Sequence, residues 1–146
     1  MRTLAIDLGA RRVGLAVSDA AGRLASALQV LTVGSSQEAI QRILPIAQQH
    51  GAQRLVVGLP LNMDDSLGPA ARQTLAWGRQ LAAASALPVI YVDERLSSFE
   101  ADQQLAQRRR QGEALTRGRK KQRRDALAAA VFLQAFLDGT LPAVEV

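Results

Sequence analysis

Three places in this sequence carry a carboxylate that could do chemistry. Asp7 lies inside an otherwise apolar, strand-like run, Leu4-Ala5-Ile6-Asp7-Leu8. A charged residue in a central strand is costly unless it is paired, hydrogen-bonded or metal-bound. Capping a loop, or pairing with Arg11 or Arg12, would be the plainer uses of it. Asp93 and Glu94 follow Tyr91-Val92 at the end of a second predicted strand. Strand side chains alternate, so one of the two points across the sheet edge and the other away. Glu94 has the longer reach, whereas Asp93 can cap the turn or pair with Arg95. Asp125 opens the last predicted helix among Lys121, Arg123 and Arg124. There the helix macrodipole alone would favour an acid.

If such acids converge without cations they repel one another and their pKa values rise. Hard divalent cations remove that penalty, and oxygen ligands suit Mg2+ or Mn2+. Two such ions about 3.5–4 Å apart can activate water and stabilise the leaving oxygen of an in-line displacement at phosphorus.

Cations are concentrated in one stretch. Nine of the chain's 18 lie between residues 108 and 124: Arg108, Arg109, Arg110, Arg117, Arg119, Lys120, Lys121, Arg123 and Arg124. Only Glu113 opposes them, and Gly112 and Gly118 make the stretch read as a mobile loop joining two helices. A solvated linker would also be charged. Arginine, however, presents a planar fork suited to phosphate, and flexible cations attract nucleic-acid backbones. Arg12, Asn62 and Arg95, near the acids, are further candidates for phosphate or sugar contact.

Composition excludes several alternatives. There is no cysteine, so disulfides and thiolate chemistry are absent, and the single histidine, His50, argues against a histidine metal site. The net charge is +5. No apolar run approaches the roughly 18 residues needed to span a bilayer, and the N-terminus has no signal-peptide layout. The expectation is one cytoplasmic domain covering 1–146, with no membrane partner.

The elements that must position the acids follow from pattern. Strands are predicted over 2–8, 12–18 and 24–33, joined by turns at Gly9-Ala10-Arg11 and Asp19 to Gly22 as an antiparallel meander. Ser35 with Glu38 forms a capping box for a helix that ends at Gly51 and is kinked at Pro45. A strand over 54–58, a loop from Pro60 to Gly68, a helix over 70–84 and a strand over 88–92 come next. A second capping box, Ser97 and Glu100, opens a helix to about Arg110. The last helix, 121–138, is apolar almost all round and must be buried on more than one side. Right-handed crossovers then give an α/β fold, a mixed five-stranded sheet of order 3-2-1-4-5 with helices on both faces. That is the ribonuclease H-like architecture.

The motifs are more specific than the pattern. Ala5-Ile6-Asp7-Leu8-Gly9 with Arg12-Val13-Gly14-Leu15-Ala16-Val17-Ser18-Asp19, then Val56-Val57-Gly58-Leu59-Pro60-Leu61-Asn62-Met63-Asp64, then Asp93-Glu94-Arg95-Leu96-Ser97-Ser98, and finally Asp125 with Ala128-Ala129 and Leu133-Gln134 resemble the bacterial YqgF family. These are RuvC-like proteins connected with Holliday junction resolution or with pre-16S rRNA processing. The resemblance runs from about residue 2 to 138. It implies divalent-metal phosphodiester hydrolysis, with Asp7, Glu94 and Asp125 as catalytic and metal-holding acids, and it selects Glu94 over Asp93. It also implies nucleic acid and ribosomal subunit precursors as partners; a resolvase would work best as a homodimer. Asp65 stands where many relatives have glycine, which leaves the conformation of that loop open. The approach to Asp125 is arginine-rich where others carry mostly lysine.

Two rival functions use the same features. Asp7-Leu8-Gly9 leading to Gly14 resembles the first phosphate motif of the actin and hexokinase class, but those enzymes close two such domains around ATP. A non-catalytic RNA-binding or transcription factor would use the basic stretch, yet three acids would only weaken its grip on a polyanion. Ser97 and Ser98 read as helix caps, Trp77 and Tyr91 as core, and Phe99 as a packing residue.

Overall fold

A computed structural model describes residues 1–95 and 126–146 in full and the helical backbone of 117–125. Residues 96–116 and the side chains of 117–125 lie outside the described residues. The predicted helix from Ser97 to Arg110, its capping box and Arg108, Arg109 and Arg110 therefore do too.

Strands β1 (Thr3–Leu8), β2 (Arg12–Ser18) and β3 (Ala25–Thr32) form the expected antiparallel meander. Strands β4 (Arg54–Leu59) and β5 (Val89–Asp93) then add in parallel, giving the order β3-β2-β1-β4-β5. Helix α1 (Ser36–Gln49) crosses from β3 to β4, and α2 (Pro69–Ser85) from β4 to β5. Alternation along the strands divides the core in two. Leu4, Ile6, Val13, Leu15, Leu55 and Val57 face Ile40, Ile43, Trp77 and Leu81 of α1 and α2. Ala5, Ala16, Val56 and Val92 face Ala129, Phe132 and Leu133 of α3 (Arg117–Leu137). The helices thus cover both faces. All four of these strand positions are alanine or valine, which lets a helix carrying Phe132 lie close to the sheet.

Local chemistry sets the boundaries. Ser35 Oγ accepts from Glu38 N–H at 3.1 Å, and Glu38 Oε2 accepts from Gly34 N–H at 2.8 Å, a reciprocal cap. The helix continues through Pro45. It also continues through Gly78 in α2, where glycine is needed for packing: a Cβ there would overlap Tyr91 Oη. Gln134 pins the C-terminal half of α3. Its side chain accepts from Ala25 N–H at 2.9 Å and donates to Arg23 O at 2.8 Å, at the β2–β3 turn. Beyond α3, Val144 N–H donates to Tyr91 O at 2.7 Å and covers part of the β5 edge.

Helix α3 begins earlier than the sequence suggests. It starts at Arg117 and not at the predicted Lys121, so 117–120 are helix and not loop, and Asp125 sits in the third turn, eight residues from the helix start. Arginine, lysine and glutamine are strong helix formers and outweigh Gly118. The macrodipole explanation for Asp125 falls with this, because that effect fades beyond the first turn.

Candidate active site

Asp7 is placed by the period of β1. Leu4 and Ile6 enter the core beneath α1 and α2, so Ala5 and Asp7 face α3. Asp7 pairs in register with Gly14 of β2. On its other flank β4 follows, with Val57 opposite Ile6 and Gly58 next in line. Val92 pairs with Gly58, and Glu94, two residues further on, returns to the face Val92 occupies. Glu94 N–H donates to Leu59 O at 3.2 Å, which ties the chain leaving β5 to the end of β4.

These constraints bring Glu94 and Asp7 into contact. Their side chains are hydrogen-bonded, and burial together with the Asp7 and Asp93 charges pushes the Glu94 carboxyl up to about 9. Glu94 Oε2 is shut off from solvent. Two carboxyls in hydrogen-bond contact at neutral pH must share a proton or a cation. Among the described residues no third metal-ligating side chain joins them; the side chain of Asp125 is outside that set. The donor set fits a hard cation: two carboxylates in contact, one with an oxygen shut off from solvent.

Asp93 points the other way, as alternation requires. Its carboxylate is gripped by Arg95, whose Nε lies 3.0 Å from each oxygen and whose Nη2 lies 2.6 Å from Oδ2. These contacts hold the Asp93 carboxyl below its usual range. Arg95 Nη1 also donates to Asn62 O at 2.6 Å, and Nη2 pairs with Asp65. One guanidinium thereby fastens the loop after β4 to the end of β5, beside Glu94. That loop is internally braced. Asn62 N–H donates to Ser66 O at 3.0 Å, Asn62 Nδ2 donates to Ser66 Oγ at 3.0 Å, and Asp64 Oδ1 accepts from Ser66 N–H at 3.1 Å. Asp65 adopts φ +68°, the left-handed region that favours glycine. The Arg95 contact offsets that backbone cost.

Sequence reasoning missed this role of Asp65, although its place in a glycine position was the available signal. Arg12 opens β2 on the same face as Asp7, just past the Gly9 turn. Trp77 and Tyr91 are core residues, as expected. A cleft of about 600 Å³ opens on the other face of the sheet, between Leu8-Gly9-Ala10, α1 and α2. It is lined by glutamine, threonine, alanine and tryptophan without any charged side chain, so it offers nothing for a polyanion or a metal.

The arrangement is an acidic site at the carboxyl edge of β1, β4 and β5, where open α/β sheets bind ligands. A family model described as "RuvX: Holliday junction resolvase" matches residues 1–139. The chain belongs to the RuvX family. It is 43% identical over 142 residues to a protein of Anaeromyxobacter sp. (strain K) named "Putative pre-16S rRNA nuclease", covering 97% of this chain and 100% of that one. A protein of Lacticaseibacillus casei (strain BL23) with the same name is 38% identical over 144 residues, covering 97% of each. Among solved structures, Thermus thermophilus RuvC in complex with a Holliday junction substrate superposes with a TM-score of 0.56 at 20% identity, covering 99% of both chains. That likeness establishes the ribonuclease H-like α/β fold. No described helix is long and apolar enough to cross a membrane.

Proposed function

We propose that this chain is a divalent-metal nuclease that hydrolyses phosphodiester bonds at the 5′ end of precursor 16S rRNA. The observation that carries the reading is the contact between Asp7 and Glu94, carboxyls from sequence-distant strands held together on one sheet edge. The names of the relatives, at about two-fifths identity over nearly the whole chain, support the RNA precursor as substrate.

Asp7 and Glu94 would hold Mg2+ or Mn2+ by their carboxylate oxygens. When bound, such a cation neutralises the paired acids, lowers the pKa of water and stabilises charge on phosphate oxygens. Asp125 is the third ligand in this reading, and the course of α3 supports it. Gln134 ties the helix at the β2–β3 turn, the opposite edge of the sheet from Asp7. The N-terminal half of α3 therefore runs toward the carboxyl edge. Asp125 precedes Phe132 by seven residues, two helical turns, and so shares its face. Phe132 is buried against the sheet in the cluster that contains Val56 and Val92.

Substrate backbone would be held by the cations of Arg117–Arg124, which the helix carries to the same edge, together with Arg108, Arg109, Arg110 and Arg12. Asn62 and Arg95 serve the site chiefly by fixing the loop after β4. Without a cation Glu94 and Asp7 would share a proton, which cation binding would displace.

The test is a cleavage panel of precursor 16S rRNA, single-stranded RNA, single-stranded DNA, duplex and four-way junction, with and without Mg2+ or Mn2+. Asp7→Asn serves as control. Metal-dependent cutting of the RNA precursor, absent in Asp7→Asn, is expected. Junction cleavage with the precursor left intact would overturn the substrate, and cutting by Asp7→Asn at the wild-type rate would overturn the site.

A further inference from the structure

Gly58 has no backbone reason to be glycine. It lies within β4, and its φ is not among the positive values of the described glycines. Glycine inside a strand weakens it by its greater freedom in the unfolded chain, and often marks a place where something must approach closely. Here the approaching group is visible. A Cβ at position 58 would stand 2.5 Å from Glu94 Oε2, 3.0 Å from Glu94 Cβ and 2.9 Å from Phe132 Cε2.

Of these neighbours only the Glu94 carboxylate can step back. Glu94 is anchored by its N–H to Leu59 O, and the next residue, Arg95, is clamped to Asp93, Asp65 and Asn62. Phe132 is 1% exposed in the core beneath α3. The one free adjustment is rotation of the Glu94 side chain, which would carry its carboxyl away from β1. On the far flank of Asp7, β2 presents Gly14. The strand positions on either side of Asp7 thus both lack a side chain.

We propose that Gly58 is a positioning residue of the acidic site: its missing side chain is the slot through which Glu94 folds over β4 to meet Asp7. Any side chain there turns Glu94 outward and costs the pair its grip on a divalent cation. This rests on the reading of Asp7 and Glu94 as the cation-holding pair.

The experiment is a double-mutant cycle on the full chain without metal, comparing thermal denaturation of wild type, Gly58→Ala, Glu94→Ala and the double variant, followed by calorimetric Mg2+ titration. Gly58→Ala is expected to lower Tm by several degrees alone and by less than half as much once Glu94 is truncated. Its Mg2+ affinity should fall about tenfold or more. Adding Phe132→Leu to Gly58→Ala makes room on the helix side; it should recover folding but not Mg2+ affinity. Equal Tm losses in both backgrounds would mean that position 58 acts through packing alone, and would overturn the proposal. So would wild-type Mg2+ affinity in Gly58→Ala, or in its Phe132→Leu partner. If Glu94→Ala itself binds Mg2+ as wild type does, the cation reading fails instead, and the metal-free coupling still decides whether the slot exists.

Discussion

Glu94, leaving β5, and Asp7, inside β1, hydrogen-bond across the intervening strand β4 although 86 residues of chain separate them. Neither carboxyl has that neighbour in the unfolded protein. The contact is built by the parallel register of β1, β4 and β5, so the acidic pair exists only when the sheet has closed.

Removing either member should abolish chemistry while sparing substrate affinity. Asp7→Asn and Glu94→Gln are each expected to lower metal-dependent cleavage by more than about a hundredfold, beyond what loss of an outer-shell partner costs. Electrophoretic-shift binding of nucleic acid without metal should be unchanged or tighter, since a negative charge has left the vicinity of a polyanion. Cleavage that persists in both variants would move the active site elsewhere.

The raised Glu94 pKa makes a directional statement about stability. In the unfolded chain this carboxyl titrates near 4.5, and in the folded protein near 9. The folded state therefore holds a proton that the unfolded state has lost over that range. Its contribution is fully present below about pH 4.5, declines as pH rises, and is gone above about 9. Metal-free protein should lose Tm steadily from pH 5 to 9 by urea or thermal melts, and Glu94→Gln should flatten that decline. A wild-type profile already flat over this window would show that the pair carries no shared proton.

A dication should reverse that loss. Binding to the folded state alone stabilises by about 2.7 kcal/mol at a hundred times Kd, which for a domain of this size is a rise of several degrees. The rise at pH 8 should exceed that at pH 5, where protons compete for the same oxygens. Differential scanning fluorimetry with Mg2+ and Mn2+ at the two pH values checks both the rise and its order.

The Arg95 clamp predicts an asymmetry between substitutions. Arg95→Lys keeps the charge but cannot span Asp93, Asp65 and Asn62 O together, and should lower the midpoint of chemical denaturation. Asp65→Gly loses one ion pair but relieves the φ of +68°, so its net effect should stay within about 0.5 kcal/mol. Asp65→Val, which keeps the strain and loses the pair, should be the worst of the three at that loop. Equal losses for glycine and valine would show that backbone conformation there costs nothing.

Salt dependence tests the basic turns of α3. Replacing Arg119, Lys120 and Lys121 with glutamine should weaken binding and reduce the slope of log K against log salt. The reduction should be about 0.7 per phosphate contact removed on a single strand. Glutamine preserves helix propensity, so circular dichroism should not change. An unaltered slope would reduce these residues to a solvated helix face.

Much of this was legible in the sequence because the signals were local. The meander came from turn chemistry, the sheet order from the handedness of the crossovers, and the choice of Glu94 over Asp93 from reach and motif. What was not legible depended on the third dimension. The first turn of α3, ahead of the predicted start at Lys121, was hidden because 117–120 carry no apolar periodicity and include Gly118. The pairing of Arg95 with Asp93 was legible, but its reach to Asp65 and Asn62 was hidden because they lie some 30 residues away. Gly58 looked like one more small residue in a buried strand; its meaning is a neighbour on β5 that only the fold supplies.

The hydrogen bond from Val144 to Tyr91 bears on how this protein behaves in concentrated solution. By occupying a main-chain acceptor of β5 it blunts a border along which another molecule could add a strand. Trimming residues 142–146 would uncover that border, and handling losses, rather than lost catalysis, should be its first symptom.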